Sequence, residues 1–257
     1  MLSILSPAKT LDFDSPSPVS GATKPALIKD AAEIVEVLKE LTPPRLAQLM
    51  SVSAKLADLN YQRYQDWEAP HPKLGSKAAL FAFQGDVYRG LKASAWTKSQ
   101  VAYAQDHLRI LSGLYGILRP LDQILPYRLE MGTSLKTSRG KDLYAFWGTL
   151  VANQLQQQIE ASQSKILLNL ASQEYFKVVD RKTLQCRVVS PAFKEYKNGD
   201  YKVISIFAKL ARGEMAAWVI KHKVKTLKKL TRFSEDGYRY DADRSTDEVP
   251  VFVRGGH

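Results

Sequence analysis

Residues 1–14 read MLSILSPAKTLDFD, and they contain the first indication of the fold. The apolar run 2–5 is followed at once by the polar segment 6–9. A short apolar run that ends in turn-forming residues predicts a buried β-strand leading into a loop. The stretch has no basic leader before a long apolar core, so it is not typical of a secretory signal peptide.

Predicted strands and helices alternate along the rest of the chain. Apolar runs of strand length occupy residues 79–83, 108–111, 166–170, 184–189 and 201–207. Apolar residues spaced three and four apart predict helices near residues 27–38, 43–50, 54–67, 143–159 and 215–222. The turn KNGD at 197–200 predicts a hairpin between strands 184–189 and 201–207, because Asn-Gly favours tight hairpin turns. We therefore expect an α/β (mixed α+β) fold, with residues 1–257 forming a single domain around a central mixed sheet.

The composition is that of a folded protein with few metal-binding side chains. Of 257 residues, 45% are hydrophobic and 25% are charged, and both values are ordinary for globular proteins. The one cysteine, Cys186, excludes an intrachain disulfide, and the four histidines are scattered, so we expect no bound metal and no cofactor. Because no apolar run approaches the roughly 20 residues of a membrane span, we expect a cytoplasmic protein with no membrane partner. The sequence leaves the oligomeric state open, with a monomer favoured.

Positive charge is concentrated in one part of the chain. The sequence has 37 Lys and Arg residues against 26 Asp and Glu residues, a formal net charge of +11. Residues 194–232 contain 11 basic and 3 acidic residues, whereas residues 233–257 contain 6 acidic and 3 basic residues. A basic stretch of this kind is typical of proteins that bind a polyanion such as DNA. The alternative is a solvated lysine surface that keeps the protein soluble.

Charged side chains follow several of the predicted strands. They are Lys9, Asp86, Glu174, Lys209 and Arg212. If these strand ends share one edge of the sheet, the side chains converge at the place where open α/β sheets bind their ligands. A cationic cleft with a few carboxylates suits phosphate. The alternative is that each of these residues caps a helix or forms a turn.

Residues 46–59, LAQLMSVSAKLADL, predict two short helices joined by a hairpin. The pattern resembles the helix-hairpin-helix motif G-h-G-x-K-x-A, with Ser51 and Ser53 in place of the glycines. Lys55 stands at the lysine position of the motif and Ala57 at the alanine position. In that motif the hairpin N–H groups and the second helix's N-terminus bind a DNA phosphate without reading sequence. The alternative is a plain pair of helices, with Ser53 as the N-cap of the second.

The common catalytic motifs are absent from the sequence. It contains no G-x-S-x-G, no Walker loop, no G-x-G-x-x-G and no H-E-x-x-H. Cys186 lies in the apolar run 184–189, where a thiol is typical of the core and not of a nucleophile. The sequence motifs therefore assign no reaction.

Seven short segments of the sequence form a combination that is specific, although none of them is specific alone. They read SPAKTLD at 6–12, GDVY at 85–88, LSGLYG at 111–116, RPLD at 119–122, PYRLEMG at 126–132, NLAS at 169–172 and ARG at 211–213. In combination they resemble the YaaA family of bacterial peroxide-stress proteins. The resemblance implies one α/β domain of unusual topology with a cationic cleft, to which Arg128 contributes. It also implies binding of double-stranded and branched DNA through a helix-hairpin-helix in repair or recombination, and a role in limiting free iron during hydrogen peroxide stress.

Three hypotheses follow for the function. The first is a cytoplasmic DNA-binding protein of the oxidative-stress response, in which the hairpin contacts phosphates and the lysines of residues 221–232 add a nonspecific field. The second is an enzyme acting on a phosphate-bearing small molecule or on DNA, with Glu174 or Asp86 as acid or base. Lys9 and Arg212 would then hold the anion. The third is a sequestering or adaptor protein whose cleft performs no chemistry.

Overall fold

The computed structural model describes residues 1–19, 21–72 and 74–256. The strands are, in chain order, β1 Leu2–Leu5, β2 Thr10–Leu11, β3 Lys77–Ala78, β4 Phe83–Gln84, β5 Leu108–Ser112, β6 Gly116–Leu118, β7 Gln123–Ile124, β8 Ile166–Asn169, β9 Arg187–Val189, β10 Ala192–Lys197, β11 Asp200–Lys202, β12 Arg239–Asp241 and β13 Val251–Arg254. The α-helices are α1 Ile28–Lys39, α2 Pro43–Met50, α3 Ala54–Gln65, α4 Ala79–Ala82, α5 Asp86–Leu91, α6 Lys98–His107, α7 Leu143–Trp147, α8 Leu150–Ala161, α9 Gln173–Phe176, α10 Ser205–Lys221 and α11 Leu227–Leu230. Short 3₁₀ turns lie at Ala93–Ala95, Arg181–Thr183 and Glu235–Gly237.

Strand β1 is the centre of a five-stranded sheet with the order β6-β5-β1-β8-β9. It pairs in parallel with β5 on one side and with β8 on the other, and Ile4 lies opposite both Arg109 and Asn169. Strand β9 is parallel to β8, and β6 is antiparallel to β5. The chain thus extends the sheet first on the β5 side and later on the β8 side of β1. Open α/β sheets bind ligands at the carboxyl ends of the strands where the order reverses in this way.

A second sheet of four strands has the order β11-β10-β13-β12. Strands β10 and β13 are parallel, whereas β11 and β12 pair antiparallel at the two edges. Phe193 of β10 stacks on Phe252 of β13 with ring centroids 5.7 Å apart, and Phe233 packs against both rings. Buried side chains from Met1 to Phe252 belong to one hydrophobic cluster, so the two sheets share a core.

The mixed α/β fold predicted from the sequence is confirmed. The strands predicted at 108–111 and 166–170 are β5 and β8, and the helices predicted at 27–38 and 54–67 correspond to α1 and α3. The sequence does not predict the second sheet, because β11 and β12 are three residues long and mostly polar. Strands this short have no alternating pattern that a sequence analysis can detect.

The strand predicted at 201–207 is wrong. Its residues end β11 and begin helix α10, so Lys209 and Arg212 lie on a helix and not beyond a strand. The helix-forming residues that follow extend α10 back over Ile206 and Phe207. The side chains of Ile206 and Phe207 are 46% and 37% exposed in the first helical turn. A strand over the same residues would have one buried face.

Two further expectations about strands are also corrected. Residues 79–83 are mainly helix α4, whose four residues are all buried, and only Phe83 continues into the short strand β4. The turn at 197–200 does form a hairpin, but it joins β10 to β11. The predicted partner, 184–189, contributes β9 to the edge of the other sheet instead.

Helices α5 and α10 cross at two glycines. A Cβ atom added to Gly213 would lie 1.8 Å from the carbonyl oxygen of Val87, and one added to Gly90 would lie 2.1 Å from the carbonyl oxygen of Leu210. Because non-bonded atoms cannot approach so closely, only glycine lets the two backbones touch. The crossing therefore fixes the position of α10 against α5.

Gly213→Ala should destabilise the protein by about 3 kcal/mol or more, because the added Cβ has to push the two helix backbones apart. Gly199→Ala is the matched control, since Gly199 has a φ of +81° but no atom within 4 Å of an added Cβ. Its cost should be limited to about 1–2 kcal/mol of left-handed backbone strain. Denaturant unfolding of both variants measures the difference, and equal losses would contradict the close helix contact.

Candidate functional site

A cavity of about 560 Å³ lies at the carboxyl ends of β1 and β8. It is lined by the segments that follow these two strands, by the start of α5, by residues 127–130 and by α10. The structure brings together there all six residues that the sequence analysis assigns to a cleft: Lys9, Asp86, Arg128, Glu174, Lys209 and Arg212. The cavity lies where the strand order reverses, which is the usual place for a ligand in an open α/β sheet.

The loops that follow β1 and β8 are tied to each other by two serines. Ser6 Oγ accepts a hydrogen bond from the backbone N–H of Ser172 over 2.9 Å, and it lies 3.3 Å from Ser172 Oγ. Ser172 Oγ in turn accepts from the N–H of Tyr175 over 3.4 Å and caps α9. These contacts hold the two strand ends together and form one side of the cavity.

Several charges of the cavity are already paired. Glu130 accepts from Lys9 Nζ over 2.8 Å and from Arg128 Nη2 over 3.3 Å. Asp86 accepts from Arg89 over 2.6 Å, three residues further along α5. The sequence analysis does not identify Glu130, although its position inside the segment PYRLEMG is a signal that could have done so. These five side chains together keep one positive charge.

Three other charges of the cavity have no counterion among the described residues. Lys209 and Arg212 lie three residues apart on α10, and neither forms an ion pair or a side-chain hydrogen bond with any residue that the structure describes. Burial lowers the pKa of the Arg212 guanidinium below its ordinary value. In the same lining, Glu174 Oε1 accepts from the N–H of Gly132 over 3.0 Å, and its second oxygen has no partner in the described part of the chain. The cavity thus presents two free cations and one free carboxylate oxygen.

Three tyrosines that the sequence analysis does not identify also line the cavity: Tyr88, Tyr127 and Tyr175. Tyr88 donates a hydrogen bond to the backbone carbonyl of Ser6 over 3.1 Å, and the hydroxyl of Tyr127 lies 2.6 Å from Ser112 Oγ. Burial raises the pKa of all three phenols above the ordinary value, so they are neutral at physiological pH. Tyr88 lies in the segment GDVY and Tyr127 in PYRLEMG, which is the signal that could have identified them.

The predicted hairpin joins two helices, since α2 ends at Met50 and α3 begins at Ala54. Ser51 has a φ of 51° and a ψ of 53°, the left-handed conformation for which glycine is usual. Ser53 Oγ accepts from the N–H of Leu56 over 3.4 Å and caps α3. Lys55 is exposed. Because an N-capping Ser53 is compatible with both interpretations of the hairpin, the helix-hairpin-helix assignment stays a prediction.

The hairpin is connected to the cavity by one buried side chain, Tyr64 of α3. Its hydroxyl donates to the backbone carbonyl of Arg128, and Met50 Sδ lies 3.7 Å from the same hydroxyl. Arg128 lines the cavity, and Met50 directly precedes the hairpin. The hairpin residues do not line the cavity, and their link to Arg128 runs through Met50 and Tyr64.

The basic stretch 194–232 does not form one surface. Arg212 lines the cavity, whereas Lys221 ends α10 about 14 Å further along the helix axis. Lys225 lies near the amino end of β1, where its charge adds to burial in lowering the pKa of the Met1 amino group. The positive charge is therefore divided between the cavity and the opposite end of β1.

The described residues contain no arrangement of metal ligands. Within 1–19, 21–72 and 74–256, no group of three or more His, Cys, Asp and Glu side chains is placed to hold a metal ion. Burial raises the pKa of the half-buried Cys186 thiol, which disfavours the reactive thiolate. None of the helices described is long and apolar enough to cross a membrane.

Comparison with known proteins identifies the family. The profile of the family described as peroxide stress protein YaaA matches residues 1–244. The chain belongs to the YaaA family. UPF0246 proteins of Aliivibrio fischeri strain MJ11, Teredinibacter turnerae and Shewanella amazonensis are each 50% identical to it over 254 residues. These alignments cover 99% of this chain and 98% to 99% of the relatives.

The segments that resemble YaaA proteins supply much of the cavity. Lys9 comes from SPAKTLD, Asp86 from GDVY, Arg128 from PYRLEMG and Arg212 from ARG. These segments are far apart in the sequence, and the fold of this YaaA protein brings them to one place. The cavity is therefore the feature around which the family segments are assembled.

Phosphate or sulfate should raise the melting temperature of this YaaA protein, because the anion would bind the unpaired cations Lys209 and Arg212 only in the folded state. At ten times the dissociation constant the stabilisation is about 1.4 kcal/mol, or roughly 3–5 °C. Arg212→Ala should abolish the rise, since alanine has no guanidinium to bind phosphate oxygens.

Arg45→Ala is the control for this measurement, because Arg45 is an exposed arginine outside the cavity. Its melting temperature should rise with phosphate as that of the wild type does. The measurement is a melting series with and without phosphate at matched ionic strength. An identical anion response in the wild type and in Arg212→Ala would contradict the anion site.

Proposed function

We propose that the protein binds double-stranded or branched DNA without sequence preference and acts in this way, as a monomer, in the response to hydrogen peroxide stress. Membership of the family described as peroxide stress protein YaaA supports the stress role. The observation that carries the DNA-binding part is the position of the exposed hairpin at 51–55 beside a cavity with unpaired cations. A context of DNA repair or recombination fits a protein that contacts the DNA backbone.

The hairpin offers a phosphate both N–H groups and a positive charge. The N–H groups of Ser51 and Val52 donate to carbonyls at the end of α2. In contrast, the N–H groups of Ser53, Ala54 and Lys55 donate to no described residue. Free N–H groups at a helix N-terminus favour anions, and the Lys55 ammonium adds a positive charge beside them. Such contacts recognise the phosphates and not the bases.

The cavity extends this contact surface. Because Tyr64 ties the end of α2 to the backbone of Arg128, a DNA strand held at the hairpin would run beside the cavity wall. The unpaired cations Lys209 and Arg212 are available there for a further phosphate. The lysines at the other end of α10 would contribute only to the long-range field that attracts DNA.

A second candidate function is binding of, or an activity on, a phosphate-bearing molecule inside the cavity. The volume of about 560 Å³ favours it, since small-molecule sites measure about 300–1,000 Å³. Glu174 is the better placed acid or base of the two predicted carboxylates, because one of its oxygens is free whereas Asp86 is paired with Arg89.

Lys55→Glu should weaken DNA binding at least tenfold, because it replaces a phosphate-binding ammonium with a carboxylate at the hairpin. In the wild type, the logarithm of affinity should fall linearly with the logarithm of salt concentration, by about 0.9 per phosphate contacted. The slope should become less steep by about one contact in the variant. Mobility-shift titrations on duplex and junction DNA at several salt concentrations measure both quantities.

Lys29→Glu is the matched control, because Lys29 is also an exposed lysine at the second position of a helix, here α1. Both variants should change the unfolding free energy by no more than about 0.5 kcal/mol, as surface substitutions usually do. Equal DNA affinities of the two variants would refute the hairpin assignment, as would wild-type binding that is insensitive to salt.

A further inference from the structure

We propose that the cavity binds one nucleotide, with its phosphate at Lys209 and Arg212 and its base between the tyrosine side of the cavity and Glu174. The inference rests on the second candidate function and specifies the class of ligand. The ligand chemistry has two possible sources, a free nucleotide or a nucleotide that is displaced from a DNA strand held at the hairpin.

The position of the phosphate follows from which charges of the cavity are free. Lys9 and Arg128 share the single carboxylate of Glu130, so this group keeps one positive charge, and Arg128 Nε is buried without a hydrogen-bond partner in the described part of the chain. Lys209 and Arg212 lack a counterion among the described residues, and α10 places them on the same face, three residues apart. Lys209 is exposed and Arg212 is partly buried, so both can reach a ligand in the cavity, and a phosphate would gain paired N–H···O bonds from the guanidinium. The α10 side of the cavity therefore suits the phosphate.

The position of the base follows from Glu174, which lines the same cavity. A phosphate cannot settle near Glu174, because the two negative charges repel each other. The free oxygen of Glu174 instead accepts a hydrogen bond from an amino or imino group, which every nucleobase carries in its hydrogen-bonding edge. Tyr88, Tyr127 and Tyr175 also line the cavity, and although they are mostly buried, their ring edges make this part of the lining partly apolar. A ligand that joins an anion to a flat ring with N–H donors matches both sides at once.

The size and the surroundings of the cavity limit the ligand further. A volume of about 560 Å³ is within the range of small-molecule sites. Tyr64 contacts both Met50, which precedes the hairpin, and the backbone of Arg128, which lines the cavity. The hairpin and the cavity are thus linked through one side chain, so a strand bound at the hairpin is a candidate source of the nucleotide.

The first test compares dAMP, deoxyadenosine and inorganic phosphate by calorimetric titration of the full chain at matched ionic strength. We expect dAMP to bind at least tenfold more tightly than either phosphate or the nucleoside alone, because only dAMP engages both sides of the cavity. A nucleotide that binds no better than phosphate would overturn the proposal and leave a simple anion site.

Two variants separate the two ends of the ligand. Arg212→Ala should abolish binding of both dAMP and phosphate. Glu174→Gln should weaken dAMP about tenfold and leave phosphate unchanged, since glutamine keeps an oxygen for the N–H of Gly132 but presents an amide group to the base. If Arg212→Ala fails to fold, Glu174→Gln still decides the question. Equal changes in dAMP and phosphate affinity in Glu174→Gln would overturn the assignment of the base.

A second test distinguishes the sources of the nucleotide. A duplex carries the fluorescent adenine analogue 2-aminopurine at an unpaired end. Protein is added and the fluorescence of the analogue is measured. If the fluorescence changes and excess dAMP reverses the change, the site belongs to a nucleotide of the DNA strand. Binding of dAMP without any effect on the DNA signal assigns it to a free nucleotide, and absence of both effects overturns the proposal.

Failure of this inference can be told apart from failure of the proposed DNA binding. The mobility shift of the wild-type protein on duplex DNA tests the hairpin, whereas the titration with dAMP involves no DNA. A mobility shift that Lys55→Glu removes, together with no preference for dAMP over phosphate, would refute the nucleotide cavity and retain the DNA-binding function.

Discussion

The direct contact between the backbones of α5 and α10 at Gly90 and Gly213 is the constraint on which the cavity depends. An added Cβ atom at Gly213 would lie 1.8 Å from the carbonyl oxygen of Val87, so no other residue type allows this approach. Helix α5 begins directly after the loop at the cavity and α10 carries its free cations. A separation of the two helices would move the cationic side of the cavity away from the strand ends. The family segments GDVY and ARG thus meet at a contact that only glycine allows.

The charges of the cavity form two groups with different roles. Glu130 pairs with both Lys9 and Arg128, and Arg89 pairs with Asp86, so these five side chains together keep one positive charge. The α10 cations have no carboxylate partner among the described residues, and burial lowers the pKa of Arg212. Arg212 is only partly buried, so its guanidinium is open to the cavity. A ligand phosphate there would meet a cation for which no carboxylate competes.

Part of the fold and part of the cavity could be predicted from the sequence. Strands β1 and β8 and the polar residues beyond them were predictable, because an apolar run that stops at a serine or proline is a local signal. Lys209 and Arg212 were assigned to the right cavity for a wrong reason, since they lie on a helix whose first turn, with Ile206 and Phe207, has the composition of a strand. Glu130 and the three tyrosines were missed, because pairing between distant segments depends on tertiary packing, which no local pattern records.

The hairpin departs from the helix-hairpin-helix motif at Ser51 and Ser53, where the motif has glycines. Ser51 takes the left-handed conformation that glycine would take, and the N–H groups of Ser51 and Val52 donate to Gln48 and Ala47, which closes the end of α2. These bonds offset a backbone strain of about 1 kcal/mol, so glycine at position 51 is favoured by this backbone path but not required by it. The N–H groups that follow the turn do not separate the two interpretations, because the first N–H groups of every α-helix lack an intrahelical acceptor. Those of residues 53–55 have no acceptor in the described part of the chain, and the exposed Lys55 belongs to the same turn. The serines are therefore no argument against phosphate binding, and the charge at position 55 is the feature that separates the two interpretations.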